Sequence, residues 1–265
     1  MTNPGPTPLR VTVWNENRHE QYPDSLTARL YPTGMHGAIA EGLTALLGEA
    51  VEVRTATLDE PEHGLPASVV DSTDVLLWWG HEAHPEVDDV VVDRVYEAVH
   101  GGMGIVVLHS GHYSKIFKKL MGTTCSLRWR NDGDREVVWT VDPTHPIAQG
   151  VPDPLVIEAQ EMYGEFFDIP TPDELIFISS FSGGEVFRSG CTWTRGHGRV
   201  FYFSPGDQEY PVYNVPSIRR VLANGVQWAA PTRRGPAIDA TFNARGWFDA
   251  TLSPTTRNSF DRQQR

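Results

Sequence analysis

Residues 104–112 read Gly-Ile-Val-Val-Leu-His-Ser-Gly-His, an apolar run that changes abruptly into polar residues around a glycine. A short, continuous apolar run is typical of a strand that is covered on both faces of a parallel sheet. The glycine after it predicts a tight turn. We therefore expect a buried strand over 104–110 whose end places His109 at the edge of a sheet.

Strands and helices alternate around this segment in the first half of the chain. Further strands are predicted over 10–14, 51–58 and 74–79, and helices over 35–47 and 87–99. This alternation predicts right-handed βαβ units, which build a parallel sheet with helices on its faces. The fold class that we expect is therefore α/β.

The second half of the chain has a different pattern, with short strands joined by turns rich in proline and glycine. Strands are predicted over 136–141, 154–159, 175–181 and 198–204, and a helix over 217–228. We expect these strands to add antiparallel neighbours to the parallel sheet. One domain over 9–232 is predicted, between a flexible N-terminal tail (1–8) and a partly irregular C-terminal extension (233–265).

Composition excludes several classes of partner. The chain has 265 residues and a net charge of −12, so its surface would repel a nucleic acid. No apolar run approaches the roughly 20 residues needed to cross a bilayer, and no signal peptide is evident. The two cysteines, Cys125 and Cys191, lack CxxC spacing, which indicates a reducing compartment. We expect a cytoplasmic homo-oligomer without nucleic-acid or membrane partners.

Three predicted strand ends deliver histidines to one edge of the sheet. His19 follows the first strand, His81 and His84 follow the third, and His109 and His112 follow the fourth. Ligands of open parallel sheets bind beyond the carboxyl ends of the strands. A polar functional cleft headed by His109 is therefore expected at this edge.

The arrangement of strand, glycine turn and helix around His109 has the geometry of a nucleophile elbow. A histidine there serves as a base or a ligand rather than as an acyl-transfer nucleophile. Ser110 is the alternative nucleophile, although it lies one residue past the apex. The other interpretation is a buried structural histidine bonded to the backbone.

Longer segments of the chain resemble the ThuA family, whose members are similar to trehalose-utilisation proteins. The segments that carry the resemblance are NENRHE (15–20), TGMHGAIAEGL (33–43), LLWWGHEAH (76–84), VVLHSGHYSKIFKKLMGTTCSLRWR (106–130), HPIAQGV (145–151), EAQEMYGEFF (158–167) and GHGRVFYFSPGDQEYPVY (196–213). The resemblance implies a flavodoxin-like sheet of the class I glutamine amidotransferase type. It also implies that amidotransferase chemistry is lost, because His109 replaces the elbow cysteine and neither Cys125 nor Cys191 is placed to act instead.

This resemblance implies a role in the metabolism of trehalose and related disaccharides, beside a dehydrogenase that makes 3-keto sugars. An isomerase or hydrolase acting on an oxidised disaccharide fits that context. One departure from the family pattern occurs near the end of the domain, where Gly206-Asp207 replaces the usual Gly-His. Asp207 can still be a ligand there, but a role that needs an imidazole would be lost.

Candidate catalytic residues follow from the expected edge and the sugar chemistry. His109 is the base or ligand, and Tyr163 orients the substrate. Glu161 and Glu165 lie four residues apart and share a face in either a helix or a strand, which suits general acid/base work. The alternative for the two carboxylates is a solvated acidic turn. The candidate substrate-binding residues are His81, His84, His112, Trp129 and Asp207.

Histidines and carboxylates at strand ends can also bind a divalent metal such as Zn²⁺, instead of serving as general acids and bases. The candidate ligands are His19, His36, His109 and Glu161, although no HxH or HExxH motif supports them. No nucleotide cofactor is expected, because the glycine turns at 183–184 and 196–198 lack the helix of a phosphate loop.

Two functions remain open at this point. The first is an enzyme of disaccharide metabolism. The second is a non-catalytic sugar-binding or regulatory protein on the same scaffold. Closely paired histidine and glutamate side chains in the pocket would favour the enzyme, and a pocket lined by aromatic residues alone would favour binding.

Overall fold

A nine-stranded sheet organises residues 7–235, the part of the chain that this computed structural model describes. Residues 1–6 of the expected N-terminal tail and 236–265 of the expected C-terminal extension lie outside the described residues. The strands are β1 Leu9–Asn15, β2 Val51–Thr57, β3 Val75–Trp79, β4 Gly104–Leu108, β5 Arg128–Thr140, β6 Leu155–Gly164, β7 Glu174–Phe181, β8 Val186–Arg195 and β9 Gly198–Phe203.

The order of the strands is β2-β1-β3-β4-β9-β8-β7-β5-β6. The first five in this order are parallel to their neighbours, and every pairing from β9 onward is antiparallel. The α/β prediction, with a parallel sheet in the first half and antiparallel additions in the second, is confirmed. In this arrangement β1, β3, β4 and β9 are adjacent and end at the same edge.

Helices cover both faces of the sheet. They are α1 Leu26–Leu30, α2 Gly34–Leu47, α3 Ala67–Asp71, α4 Asp89–His100, α5 Lys115–Met121 and α6 Pro216–Ala229. On β3, Leu76 and Trp78 join the core under α4 and α5, whereas Leu77 and Trp79 join the core under α2 and α6. The continuous apolar run of β3 therefore reflects burial on both faces. No helix within residues 7–235 has the length and apolar character needed to cross a bilayer.

The antiparallel half is more extensive than the sequence predicts. β8 has no counterpart among the predicted strands, and β5 and β6 each extend well beyond their predicted bounds. The additional part of β5 is polar, and the ion pairs of Arg130 with Asp134 and Glu185 hold it. The ion pair with Glu185 joins segments far apart in the chain and leaves no local pattern in the sequence. The longer β5 and β6 place Trp129 and Glu161 on strands.

Candidate functional site

His109 occupies the turn immediately after β4. Its φ angle is +46°, a left-handed conformation that is uncommon for a residue with a side chain. A 3₁₀ turn over His109–Tyr113 follows, and then α5 begins. A Cβ on Gly111 would lie 3.0 Å from Val107 and 3.1 Å from the Trp78 carbonyl oxygen, so the turn packs closely on the sheet. This segment therefore has the geometry of the expected elbow.

The imidazole of His109 is fully buried, and each of its nitrogens has a defined environment. Nδ1 lies 2.7 Å from the carbonyl oxygen of Ser204. Because a carbonyl only accepts, Nδ1 carries the hydrogen. Nε2 lies 2.9 Å from Oε2 of Glu161 and 3.6 Å from Oδ2 of Asp207. We call His109, Glu161 and Asp207 the buried centre.

Tyr163 completes the surroundings of the buried centre. Its hydroxyl lies 3.1 Å from His109 Nε2, and the two rings stack with centroids 4.6 Å apart. Burial raises the pKa of Tyr163 well above its usual value, and the charge of Glu161 adds to the effect. Tyr163 therefore keeps its proton at neutral pH. Since Glu161 and Tyr163 belong to β6, the antiparallel half of the sheet must curve back over the end of β4.

Charge is unbalanced in the buried centre when only protein groups are counted. Burial lowers the pKa of His109, but the carboxylates of Asp207 and Glu161 outweigh this effect and raise it to about 10. A protonated imidazole leaves one uncompensated negative charge among the three side chains. Glu161 Oε2 and Asp207 Oδ2 are buried, and neither accepts a hydrogen bond of normal geometry from the described residues. Buried charges without such compensation are costly.

The buried centre fits a divalent cation. One nitrogen and two carboxylate oxygens lie within 4.8 Å of one another, and this donor set suits Zn²⁺ or a similar ion. A neutral His109 with two carboxylates and a dication would have no net charge. The bond from Nδ1–H to the Ser204 carbonyl is the support that metal-binding histidines usually have on their other nitrogen.

A cleft of about 490 Å³ opens above the buried centre. The residues that line it are His81, His84, Ser110, His112, Tyr113, Ser126, Leu127, Trp129, Asn131, Glu161, Tyr163, Gln208 and Glu209. The wall is thus mainly polar and aromatic, with Glu161 and Tyr163 shared between the cleft and the centre.

Three histidines of the cleft are uncharged at neutral pH. Burial lowers the pKa of His81 and of His84 to about 4, and nearby positive charges add to the effect. Burial also lowers the pKa of His112 to about 3. The Nδ1–H of His112 donates to the carbonyl oxygen of Cys125 at 2.7 Å, which leaves Nε2 as an acceptor. The cleft therefore contains neutral imidazoles, and their low pKa values make them weak bases.

Glu16 anchors the loop that carries His81. Its carboxylate accepts hydrogen bonds from the backbone N–H groups of His81, Glu82 and Ala83, at 2.6, 3.0 and 3.1 Å. Burial raises the pKa of Glu16 despite these bonds. This role of Glu16 was not predicted from the sequence, although its position directly after β1 is a signal that could have indicated it.

The structure brings most of the predicted site residues together. His109, Glu161 and Tyr163, predicted as catalytic, meet at the buried centre. The candidate substrate residues that line the cleft are His81, His84, His112 and Trp129. Asp207 belongs to the buried centre rather than to the cleft wall. Sequence reasoning missed Asn131 and Gln208 as cleft residues and considered Ser110 only as an alternative nucleophile.

Glu165 is not part of this group, which corrects the expectation that it points together with Glu161. The strand β6 ends at Gly164, so the alternation of faces stops before Glu165. The Glu165 carboxylate instead forms a two-pronged ion pair with Arg188, at 2.7 and 2.9 Å, and accepts from the Phe167 N–H. The Arg188 guanidinium lowers the pKa of Glu165 against the opposing effect of burial.

The predicted ligand set of His19, His36, His109 and Glu161 is also not assembled. His36 Nδ1 lies 3.2 Å from Asn15 Nδ2, and His19 Nε2 lies 3.1 Å from His81 Nδ1. Asp207 takes the place beside His109 that was expected for a further histidine. His19, His81 and Glu82 do form a second possible ligand group. In it the two imidazoles already satisfy each other, and Glu82 is exposed.

Neither cysteine is a candidate nucleophile. Cys125 and Cys191 are both buried and lie away from the elbow apex. Burial raises the pKa of their thiols to about 11 and about 12, respectively. Thiols of this kind are not ionised at neutral pH and are therefore inert.

The fold and the site define an α/β protein with a buried histidine–carboxylate centre at the edge of its parallel strands. The family model described as ThuA, trehalose utilisation, matches residues 10–229, and the chain belongs to this family. No curated protein sequence matches the chain.

Solved structures share the fold at low sequence identity. A ThuA-like protein from Bacteroides uniformis is 15% identical with a TM-score of 0.60, over 86% of this chain and 94% of its own. One from Parabacteroides merdae is 16% identical with a TM-score of 0.59, over 86% and 93%. A protein from Salmonella typhimurium, described as cytoplasmic, is 12% identical with a TM-score of 0.57, over 84% and 100%. At such identities the likeness shows the fold alone.

Proposed function

We propose that the chain is a cytoplasmic enzyme of carbohydrate metabolism that acts on trehalose or a related 3-keto disaccharide. The observation that carries this proposal is the buried centre beneath a polar cleft, with His109 Nε2 at 2.9 Å from Glu161. The family description, trehalose utilisation, indicates the class of substrate. The partner is a small-molecule sugar, and a homo-oligomer is the assembly that we expect.

The close pairing of His109 and Glu161 supports the enzyme over the non-catalytic alternative. A protein that only binds sugar needs hydrogen-bonding groups and aromatic faces, but it gains nothing from burying two carboxylates around one imidazole. Such an arrangement costs stability, and buried, strongly perturbed titratable groups in a cleft are typical of active sites. The polar and aromatic side chains of the cleft wall could bind a sugar in an enzyme and in a non-catalytic binding protein alike.

The buried centre is our proposed site for Zn²⁺ or a similar divalent ion, held by His109, Glu161 and Asp207. When bound, such an ion supplies Lewis acidity toward a carbonyl or hydroxyl oxygen of the substrate. Three protein ligands are the usual number in catalytic zinc sites, which keep one position open. No nucleotide cofactor is required for the chemistry that we propose.

We propose that a neutral histidine of the cleft takes a proton from the sugar. Burial makes it a weak base in the free protein, so the ketone of the substrate must supply the acidity of that hydrogen. A ketone at C3 acidifies the hydrogen on C2, so a neutral imidazole such as that of His112 can accept it. The electron pair of the C–H bond then moves to the carbonyl oxygen. Tyr163, which keeps its proton, is placed to donate a hydrogen bond to the oxygen that becomes negative. His81 is the alternative base.

Either of the expected reactions can follow this step. Return of the proton to the opposite face of C2 gives the epimer. Return of the proton to C3, with transfer of the C2 hydroxyl proton to the C3 oxygen, moves the ketone to C2. Loss of the glycosidic oxygen from C1, which takes up a proton as it leaves, followed by addition of water across the resulting double bond, gives net hydrolysis. Both routes use the same acid/base groups and consume no oxidant or reductant.

The test is turnover by His109→Ala with trehalose and its 3-keto form as substrates. We expect a loss of about 100-fold or more while the circular dichroism spectrum is retained. The matched control is His145→Ala, which removes another buried histidine from a turn outside the cleft. Persistent turnover in the His109 variant, or an equal loss in the control, would show that the buried centre is not the site of the reaction.

A further inference from the structure

Trp129 is an exposed aromatic residue at the wall of the cleft. Its side chain is 66% exposed, the largest such value among the tryptophans of residues 7–235. Its ring contacts no other aromatic ring or cation in the described part of the chain, whereas one face of Tyr113 is covered by the Lys118 ammonium at 3.0 Å. A large apolar surface left open in a cleft indicates a site that a ligand covers.

The strand register places Trp129 beside the buried centre. Trp129 of β5 is the direct cross-strand partner of Tyr163 of β6, so both side chains project from the same face. Such partners have Cβ atoms about 5 Å apart. Since the Tyr163 hydroxyl contacts His109, Trp129 is the strand neighbour of a residue that reaches the buried centre, and both line the cleft.

Two buried polar atoms of the cleft have no hydrogen-bond partner among residues 7–235. Gln208 is 5% exposed and Ser110 is 4% exposed, and both line the cleft. Gln208 Oε1 and Ser110 Oγ form no hydrogen bond within the described residues. Buried polar groups are normally paired, so these two atoms indicate a ligand rich in hydroxyl groups.

A third polar group of the wall is already oriented. Asn131 accepts a hydrogen bond from the Tyr210 hydroxyl at 2.8 Å and donates one to Glu209 at 2.9 Å. These bonds fix its side chain near Trp129 without involving the buried centre. An aromatic face with oriented amides beside it is the chemistry that recognises a sugar ring.

We propose that Trp129 is the stacking platform for a second sugar ring, so that the substrate is at least a disaccharide. One ring lies over the buried centre, and the other lies on Trp129 with Gln208 and Ser110 within reach of its hydroxyl groups. This assignment rests on the proposed function for the choice of sugar, and it adds which residues select two rings over one. No covalent step is attributed to Trp129.

The experiment compares binding of trehalose and glucose by calorimetry in the full chain, Trp129→Ala and Trp129→Phe. Loss of an aromatic stacking partner should weaken trehalose binding about 10-fold in Trp129→Ala and less in Trp129→Phe, with glucose changed less than about 2-fold. The matched control is Trp139→Ala, which removes a half-exposed tryptophan from the same strand, bonded to Ser180 instead of lining the cleft. It should bind both sugars as the unaltered chain does.

Several results would overturn the platform. These are unchanged trehalose binding in Trp129→Ala, an equal loss for trehalose and glucose, and an unaltered chain that does not prefer the disaccharide. Because binding is measured without turnover, failure of the proposed function can be distinguished from failure of the proposed role of Trp129. If the chain has no turnover but its trehalose binding depends on Trp129, the proposed enzyme function is wrong and the stacking role of Trp129 is supported. If the chain has turnover but Trp129→Ala binds trehalose normally, the enzyme function is supported and the stacking role is wrong.

Discussion

Nε2 of His109 lies 2.9 Å from Oε2 of Glu161, and both side chains are buried at the end of the parallel strands. The hydrogen on Nδ1 is committed to the Ser204 carbonyl, so the nitrogen that faces the carboxylate is available for a proton or a cation. The function of this pair therefore depends on the charge of Glu161 and on the residues that hold the surrounding loops.

Glu161→Gln and Glu165→Gln should have opposite effects. We expect Glu161→Gln to reduce kcat by about 100-fold or more without destabilising the protein, because it removes an uncompensated charge from the buried centre. Glu165→Gln should keep kcat but destabilise the protein, since it breaks the ion pair with Arg188. Steady-state kinetics and urea denaturation of both variants separate the effects. A large loss of kcat in Glu165→Gln alone would restore it as the catalytic carboxylate.

Tyr163→Phe should reduce kcat more than it changes KM. The substitution retains the ring that stacks on His109 but removes the hydroxyl 3.1 Å from Nε2. If that hydroxyl donates to the oxygen that becomes negative, its loss affects the transition state and costs about 10- to 100-fold in kcat. The measurement is a full kinetic profile on the keto-disaccharide. A change in KM alone would instead assign Tyr163 to ground-state binding.

Glu16→Gln should loosen the loop that carries His81. An amide has only one acceptor oxygen, so it cannot maintain all the hydrogen bonds that the carboxylate accepts from the N–H groups of His81, Glu82 and Ala83. We expect faster amide hydrogen exchange in residues 81–83 and a raised KM, while exchange in β4 stays unchanged. Unaltered exchange in the loop would show that Glu16 does not hold it.

Glu136→Gln should stabilise the protein at alkaline pH. Burial raises the pKa of Glu136 from its ordinary 4.5 to about 7, against the hydrogen bond from Ser179. The folded state therefore holds this proton more tightly than the unfolded state does. The stability that it contributes is complete below pH 4.5 and is lost as pH rises toward 7.

Glutamine stays neutral throughout, so the variant avoids that loss. We expect the difference in free energy of unfolding between Glu136→Gln and the unaltered chain to grow by about 3 kcal/mol between pH 5 and pH 8. Urea denaturation at several pH values measures it. Glu158→Gln, on a largely exposed side chain of β6, is the control and should show no such trend. A difference that is constant with pH would show that Glu136 is not held protonated.

Local patterns predicted the parallel half of the fold, because strands that are buried on both faces have continuous apolar sequences. The residues 104–108 and 75–79 are of this kind. Strand ends then indicated the edge where histidines gather, which identified His81, His84, His109 and His112 without knowledge of their distances.

Contacts between distant segments could not be predicted in the same way. β8 combines small and polar residues in VFRSGCTWTR, and the polar part of β5 depends on ion pairs with residues far along the chain. The turn after β9 brings Asp207 close to His109. The local Gly206-Asp207 pattern indicated that Asp207 could be a ligand, but it could not indicate that His109 would be its neighbour. Glu165 does not share a face with Glu161, because β6 ends at Gly164 and the alternation of side-chain faces holds only within the strand.

The most direct measurement is the divalent metal content of the purified chain, by elemental analysis after growth with added zinc or manganese. We predict about one tightly bound ion per chain, lost in His109→Ala and Asp207→Asn and retained in His19→Ala, whose imidazole belongs to the second ligand group. An unaltered chain without metal, or His109→Ala and Asp207→Asn variants that keep it, would contradict the assignment of the buried centre as a metal site.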